Sequence, residues 1–158
     1  MRTNQRAGLS ALSAIAILVL AGGIVCAQRT RAAATVLPLA QEPMFSEYKG
    51  IRLGMTAQQV RGILGAPTLK ADDQDYYLFS DAESAQFAYD KSQTVVTISI
   101  DYTGAGAPDY RNVVGPAIEE KEDGALYKLV RYPAQHMWVS YNRTAGAPPI
   151  VTITIQKM

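Results

Sequence analysis

His136 is the only histidine in the chain, so general acid–base or nucleophilic catalysis would have to use it, or else a carboxylate or lysine base. Its neighbours Met137 and Trp138 belong to an alternating pattern, which predicts that His136 lies in a strand. A histidine on a half-exposed strand requires no chemical role. The sequence therefore favours a structural histidine at this position.

Acidic residues are densest at Asp72, Asp73 and Asp75, with Asp81 and Glu83 close behind. Their carboxylates could offer oxygen ligands to calcium, but the spacing lacks the alternating ligands, central glycine and distal glutamate of a calcium loop. We predict a solvated loop here. Phosphate loops, zinc spacings, nucleophile elbows and dinucleotide-binding turns are absent from the sequence as well. The sequence thus predicts a protein that is not an enzyme, with no catalytic residue, cofactor or metal ion.

The size and charge of the chain limit its class. Its 158 residues suit one compact domain or two very small ones, and its formal net charge of +1 argues against a nucleic-acid partner.

The N-terminal segment, residues 1–27, has the pattern of a signal peptide or a membrane anchor. Arg2 and Arg6 precede an uncharged run rich in Leu, Ile, Val and Ala. Cleavage after Ala27 would release a soluble domain, whereas an uncleaved helix would be long enough to cross a hydrocarbon core of ~30 Å. A third alternative is acylation at Cys26. We predict a periplasmic or secreted protein and leave its membrane attachment through this segment open.

Residues 28–43 predict a flexible linker, because they contain two prolines and lack a sustained helical or strand period. Cys26 is the only cysteine, so the exported part has no disulfide and depends on its core for stability.

A capped helix is the clearest local signal. Thr56 and Gln59 have the spacing of a capping box, and Met55 is placed to form a hydrophobic staple. Gly65 followed by Pro67 predicts the end of the helix.

Gly54-Met55-Thr56, followed by a helix that ends in Leu-Gly-x-Pro, resembles the opening of the SmpA/OmlA (BamE-like) family. The resemblance extends from about Phe45 to Tyr102. It implies a helical hairpin, with a first helix near Met44 to Ile51, and a role as a protein-interaction module in outer-membrane assembly. The best-known relatives are lipid-anchored. The residues before Cys26 fit a lipoprotein signal poorly, which disfavours such an anchor for this chain.

After the helix the pattern changes to alternation, which predicts strands at 76–79, 85–89 and 94–102 with a turn at 90–93. In the last strand we expect Val96, Ile98, Ile100 and Tyr102 to share the buried face.

The sequence pattern predicts that the second half repeats the first in outline. The segment 111–116 corresponds to 61–67, and strands are expected at 126–132, 136–141 and 151–155. We therefore predict a BamE-like repeat at 44–106 and a degenerate second repeat at 107–158, in which Asp109 caps a shorter helix or none. Such a duplicated unit is similar in architecture to the beta-lactamase inhibitor protein.

The predicted fold is α+β, with short helices packed on an antiparallel sheet. Trp138 is the best candidate for an aromatic interface residue, together with Tyr141 and Tyr127, since aromatic side chains supply large contact area. The function predicted is a non-catalytic module of the cell envelope with protein partners. Two alternatives stay open: a secreted enzyme inhibitor, and a small-ligand or lipid-binding domain with a cavity lined by Tyr77, Phe79 and Phe87.

Overall fold

The structure is a computed structural model that describes residues 41–116 and 121–158. The predictions for the leader, Cys26 and most of the linker lie outside these residues. Among the described residues, no helix has the length and apolar character needed to cross a membrane.

The described chain has an α+β fold, as predicted. It begins with a two-stranded ribbon, β1 (Glu47–Tyr48) and β2 (Ile51–Arg52), followed by helix α1 (Ala57–Leu64). The strands of the main sheet are β3 (Leu69–Lys70), β4 (Gln74–Ser80), β5 (Glu83–Tyr89), β6 (Val95–Thr103), β7 (Leu126–Tyr132), β8 (Met137–Arg143) and β9 (Ile150–Lys157). Helix α2 (Arg111–Val114) lies between β6 and β7, and a 3-10 helix, Pro133–Gln135, between β7 and β8.

All seven strands of the main sheet are antiparallel to their neighbours, in the order β3-β4-β5-β6-β9-β8-β7. Strands β6 and β9 meet at the centre, where Ser99 lies opposite Thr154. Each half of the described chain thus contributes a short helix and three long strands to one continuous sheet. The repeat itself and its boundaries stay predictions.

Alternation divides the sheet into two faces. The inner face carries the core, whose largest fully buried side chains come from five of the strands and from the elements packed over them: Tyr132, Phe87, Ile51, Ile98, Ile100, Leu126, Ile153, Ile155, Val60, Val95, Val113 and Val139. Helix α1 and the ribbon cover one half of this face, and α2 covers the other.

Helix α1 begins as its sequence predicts. The Thr56 hydroxyl accepts from the Gln59 amide (3.2 Å), and the Gln59 side chain accepts from the Thr56 amide (2.8 Å). The helix ends at Gly65, where φ is +83°. Its inner side buries Ala57 and Val60.

Three local predictions are wrong. Residues 44–51 do not form a helix; they form the ribbon, whose turn at Lys49 and Gly50 has positive φ at both residues. A β-bulge between Ala88 and Tyr89 shifts the register, so Val95 rather than Val96 reaches the core. His136 does not lie in a strand, because it ends the 3-10 helix in a left-handed conformation with φ of +51°.

The second helix is short, as predicted, with four residues. Asp109 contributes to its start, since its carboxylate accepts from the Arg111 amide at 2.8 Å, although Tyr110 occupies the N-cap position. Tyr110 packs edge-on against Tyr141 of β8, with ring centroids 6.2 Å apart, and this contact fixes α2 on the inner face.

Candidate interaction surface

The acidic residues predicted to form a solvated loop differ in their exposure to solvent. Asp72 and Asp73 are exposed, whereas Asp75 points into the core and is 0% exposed. Within the described ranges, no group of three or more His, Cys, Asp or Glu side chains is placed to hold a metal ion.

Asp75 belongs to a buried polar network. Arg61 of α1 donates from Nε to Oδ2 (2.8 Å) and from Nη2 to Oδ1 (3.0 Å), and the Tyr89 hydroxyl donates to Oδ2 (2.7 Å). The paired carboxylate raises the pKa of Arg61, while burial and the bond to Asp75 raise the pKa of Tyr89. The network joins α1 to β4 and β5, so its role is to position the helix on the sheet.

The ribbon is held in a similar way. The Tyr48 hydroxyl donates to Glu83 (2.7 Å), and the Lys49 ammonium lies 3.3 Å from the same carboxylate and 4.6 Å from the centre of the Phe79 ring. Burial, together with the bond to Glu83, raises the pKa of Tyr48.

The three aromatic side chains predicted to line a ligand cavity pack against one another. Tyr77 stacks on Phe79 with centroids 5.9 Å apart, and Tyr77 meets Phe87 edge-on at 5.6 Å. Tyr77 and Phe87 are buried, and the Tyr77 hydroxyl donates to the Gly65 carbonyl (3.0 Å). These rings therefore support the end of α1.

His136 is exposed and immediately precedes β8. Strands β5, β6 and β9 separate β8 from β4, the strand that carries Asp75. The Asp75 carboxylate is thus paired with Arg61 and lies several strands from this histidine.

The three predicted interface residues do not share one surface. Trp138 and Tyr127 both point to the outer face of the sheet, and Tyr127 is 62% exposed while Trp138 is half-buried. Tyr141 has the opposite phase. It is 4% exposed and packs in the core against Tyr110. The prediction of Tyr141 as an interface residue on the surface is therefore wrong.

The outer face, which we define by the side chains opposite the core, includes three rows that cross the sheet, and a shorter row of Thr103 and Ile150 lies beside the first of them. The first row runs Leu78, Ser84, Asp101, Thr152, Asn142 and Tyr127. The second runs Leu69, Tyr76, Gln86, Ser99, Thr154, Ser140 and Leu129. The third runs Gln74, Ala88, Thr97, Gln156, Trp138 and Arg131.

Large apolar side chains stand at both sides of this face. Leu69 and Leu78 are 67% and 52% exposed, and Leu69 borders a depression of about 400 Å³ together with Tyr76. Tyr127 and Trp138 stand at the other side. Sequence reasoning missed Leu69 and Leu78, although alternation along β4 already separates Leu78 from the core residue Tyr77.

The geometry defines a class of protein: an α+β domain whose helices pack on one face of an antiparallel sheet and whose polar network is structural. Residues 46–105, from the ribbon to the end of β6, match the family model described as the outer membrane protein assembly factor BamE domain. The resemblance to the SmpA/OmlA (BamE-like) family is confirmed over this segment. No curated protein and no solved structure matches the chain. The similarity to the beta-lactamase inhibitor protein stays a prediction.

Proposed function

We propose that this protein is a non-catalytic interaction module of the cell envelope that acts as an accessory or scaffold factor in outer-membrane assembly. The observation that carries the proposal is the match of residues 46–105 to the family model that describes the outer membrane protein assembly factor BamE domain. The matched segment contains the capped helix, the network around Asp75 and half of the sheet. Each of these features builds a stable scaffold.

The outer face supplies the surface for such a role. None of the contacts described above places a helix on it, and it presents Trp138 and Tyr127, residue types that anchor protein interfaces. We also propose that the protein lies in the periplasm or outside the cell, with or without attachment to a membrane through residues 1–27. The partner is an envelope protein, and nucleic acid is not involved.

The test is a crosslinking pull-down from intact envelopes with the tagged full-length chain. We compare wild type with Trp138→Ala and with Ile63→Ala, a matched control because Ile63 is an exposed apolar residue on α1. We expect outer-membrane assembly proteins to be recovered by wild type and the control, and to be severalfold reduced by Trp138→Ala.

Mass and N-terminal sequencing of the bait report the fate of the leader and of Cys26 in the same experiment. Recovery of a single soluble enzyme instead of assembly proteins would contradict the proposal and support the enzyme-inhibitor alternative. Equal recovery by wild type and both variants would contradict a role for Trp138 in the interface.

A further inference from the structure

The two edges of the main sheet differ in how much backbone they leave unpaired. At one edge β3 is only two residues long, and beyond it the Thr68 hydroxyl accepts from the Leu78 amide of β4 at 3.0 Å. A short edge strand and a covering loop both protect an edge from further pairing. At the other edge β7 has seven residues, and within residues 41–116 and 121–158 it pairs with β8 alone. In this part of the chain, β7 is therefore the open edge.

Strand β7 is regular and partly apolar. Its pairing with β8 runs from Leu126 to Tyr132 without a register shift, and the strand contains no proline. On its outer side Tyr127 is 62% exposed and Leu129 is half-buried. A long, regular edge strand with exposed apolar side chains is a site at which another strand can be added.

Two cations on β7 restrict which strand can be added. Lys128 is on the inner side, and its ammonium lies beside Gly115 at the end of α2, 3.9 Å from the position that a Cβ would take there. A lysine at a helix C-terminus interacts favourably with the last carbonyl groups, so this charge is accommodated within its own molecule. Arg131 is exposed on the outer side, directly opposite Trp138 of β8.

Symmetry limits the ways in which two copies of β7 can pair antiparallel. Opposite residues in such a pair point to the same face, so inner-face residues must meet inner-face residues. A register centred on Lys128 would place two lysines opposite each other, which is unfavourable. A register centred on Val130 would leave Leu126 and Tyr127 opposite no strand residue. The register centred on Leu129 pairs all seven residues and places no like charges directly opposite each other.

The same register gives Arg131 a second aromatic neighbour. It lies opposite Tyr127 of the second copy, while Trp138 flanks it within its own molecule. A guanidinium between two aromatic residues can form cation–π contacts, and this arrangement occurs twice because the pairing is symmetric. On the inner face, Leu126 lies opposite Tyr132 of the second copy. Strand β7 is thus complementary to itself in charge and in apolar contact.

We propose that two copies of this chain pair through β7, antiparallel and centred on Leu129, and form a two-fold symmetric dimer. The two main sheets become one continuous sheet, with the helices of both copies on one side and both outer faces on the other. This inference does not depend on the proposed function. It goes beyond it by assigning the oligomeric state and by bringing Tyr127 and Trp138 of the two copies onto one surface.

Disulfide formation in intact envelopes tests the register. Every variant carries Cys26→Ser, because Cys26 is the only cysteine of the chain. Leu129 lies opposite itself, and opposite residues of an antiparallel pair have Cα atoms about 4.5–5.5 Å apart, within the range of a disulfide. We therefore expect Leu129→Cys to form a disulfide-linked dimer on mild oxidation.

Tyr127→Cys is the matched control on the same side of β7. Residue 127 lies opposite residue 131 of the second copy, so the two substituted positions are offset by about 13 Å along the strand. This offset is beyond the range of a disulfide, and severalfold less linked dimer is expected. Coexpression of Tyr127→Cys with Arg131→Cys is expected to restore the linked dimer.

Sedimentation of the full-length chain gives a second readout. Wild type is expected to have twice the mass of one chain, and Leu129→Glu the mass of a single chain, because it places two carboxylates opposite each other. Leu78→Glu changes another exposed outer-face leucine, far from β7, and should remain dimeric. A mixture of Leu129→Glu with Leu129→Lys should recover the dimer. Thermal unfolding checks that each variant is folded.

The outcomes separate this inference from the proposed function. A single-chain mass for wild type, or equal linkage by Leu129→Cys and Tyr127→Cys, would overturn the dimer and leave the role in outer-membrane assembly standing. A dimer that persists in Leu129→Glu would place the contact elsewhere and overturn the β7 interface. Linkage of Leu129→Cys to a different envelope protein would contradict the second copy as the occupant.

Discussion

Asp75 shows how much one residue's direction matters. Its sequence neighbours Asp72 and Asp73 face water, while Asp75 accepts three hydrogen bonds in the core. Composition groups the three acids together. Alternation with Tyr77 on β4 was the available signal that Asp75 faces inward, but no sequence pattern identifies Arg61 and Tyr89 as its partners, because they come from two other elements.

Replacing Asp75 with Asn is expected to destabilise the fold by about 3 kcal/mol, because it leaves the Arg61 guanidinium without its anionic partner in a partly buried site. Urea unfolding followed by circular dichroism measures the change. Asp72→Asn is the matched control, since Asp72 is exposed, and its expected effect is within about 0.5 kcal/mol. Equal effects of the two variants would contradict a structural role for the network.

The start of α1 gives a second prediction at this scale. Thr56→Ala removes the hydroxyl that accepts from the Gln59 amide, and we expect a loss of about 1 kcal/mol of stability. Gln58→Ala, on the exposed side of the helix, is the comparison and should be nearly neutral. Chemical denaturation of the two variants side by side decides whether the cap contributes.

At the scale of elements, strands and the capped helix were predictable because their signals are local. The sequence predicted β7 with its observed bounds, and it predicted α1 with its cap and stop. The ribbon was missed, since apolar residues at 44–51 also fit a helical period, and a two-residue strand has no period of its own. The bulge that brings Val95 inward was missed because it depends on the pairing with β5.

Two glycines of the α1 segment should respond in opposite directions to alanine. Gly65 has φ of +83° and ψ of −162°, a region that is essentially limited to glycine, so Gly65→Ala is expected to cost about 1–3 kcal/mol. Gly62 lies inside the helix with open space around it, so Gly62→Ala is expected to stabilise by about 0.5–1 kcal/mol. Melting temperatures on either side of the wild-type value would agree with this; shifts of the same sign would not.

At the scale of the whole molecule, the core depends on tyrosines that are both buried and polar. Burial raises the pKa of Tyr48, Tyr77, Tyr89, Tyr102 and Tyr141. Such a group keeps its proton in the folded state after the unfolded chain has lost it. The stability that these groups contribute is therefore fully present below about pH 10, which is the pKa of tyrosine in an unfolded chain. It is lost as the pH rises toward the higher pKa values of the folded state.

We accordingly expect the free energy of unfolding to decrease above about pH 10, and to decrease less steeply in Tyr89→Phe, which removes one titrating hydroxyl. The measurement is a series of urea unfolding curves from pH 8 to 11. The exposed Tyr127, replaced by Phe, is the control and should keep the wild-type slope. Identical slopes in all three proteins would mean that the buried tyrosines do not set the alkaline limit.

The arrangement of the seven strands was less predictable than the strands themselves. Alternation gives each strand its two faces, and hence the phase of Trp138, but it does not say which strands are neighbours. The central pairing of β6 with β9 joins segments about fifty residues apart in sequence. The outer face follows from this pairing, so its rows of side chains became visible only in the assembled sheet.

The central position of β9 also affects when the protein can fold. Strand β8 reaches the first half of the sheet only through β9, which is the last strand of the described chain. The sheet therefore cannot be completed until residues 150–157 have been synthesised, and its closure depends on a long-range contact of the kind that slows folding. A chain built in this way keeps its two groups of strands apart until β9 is made, however early the other six strands of the main sheet have formed.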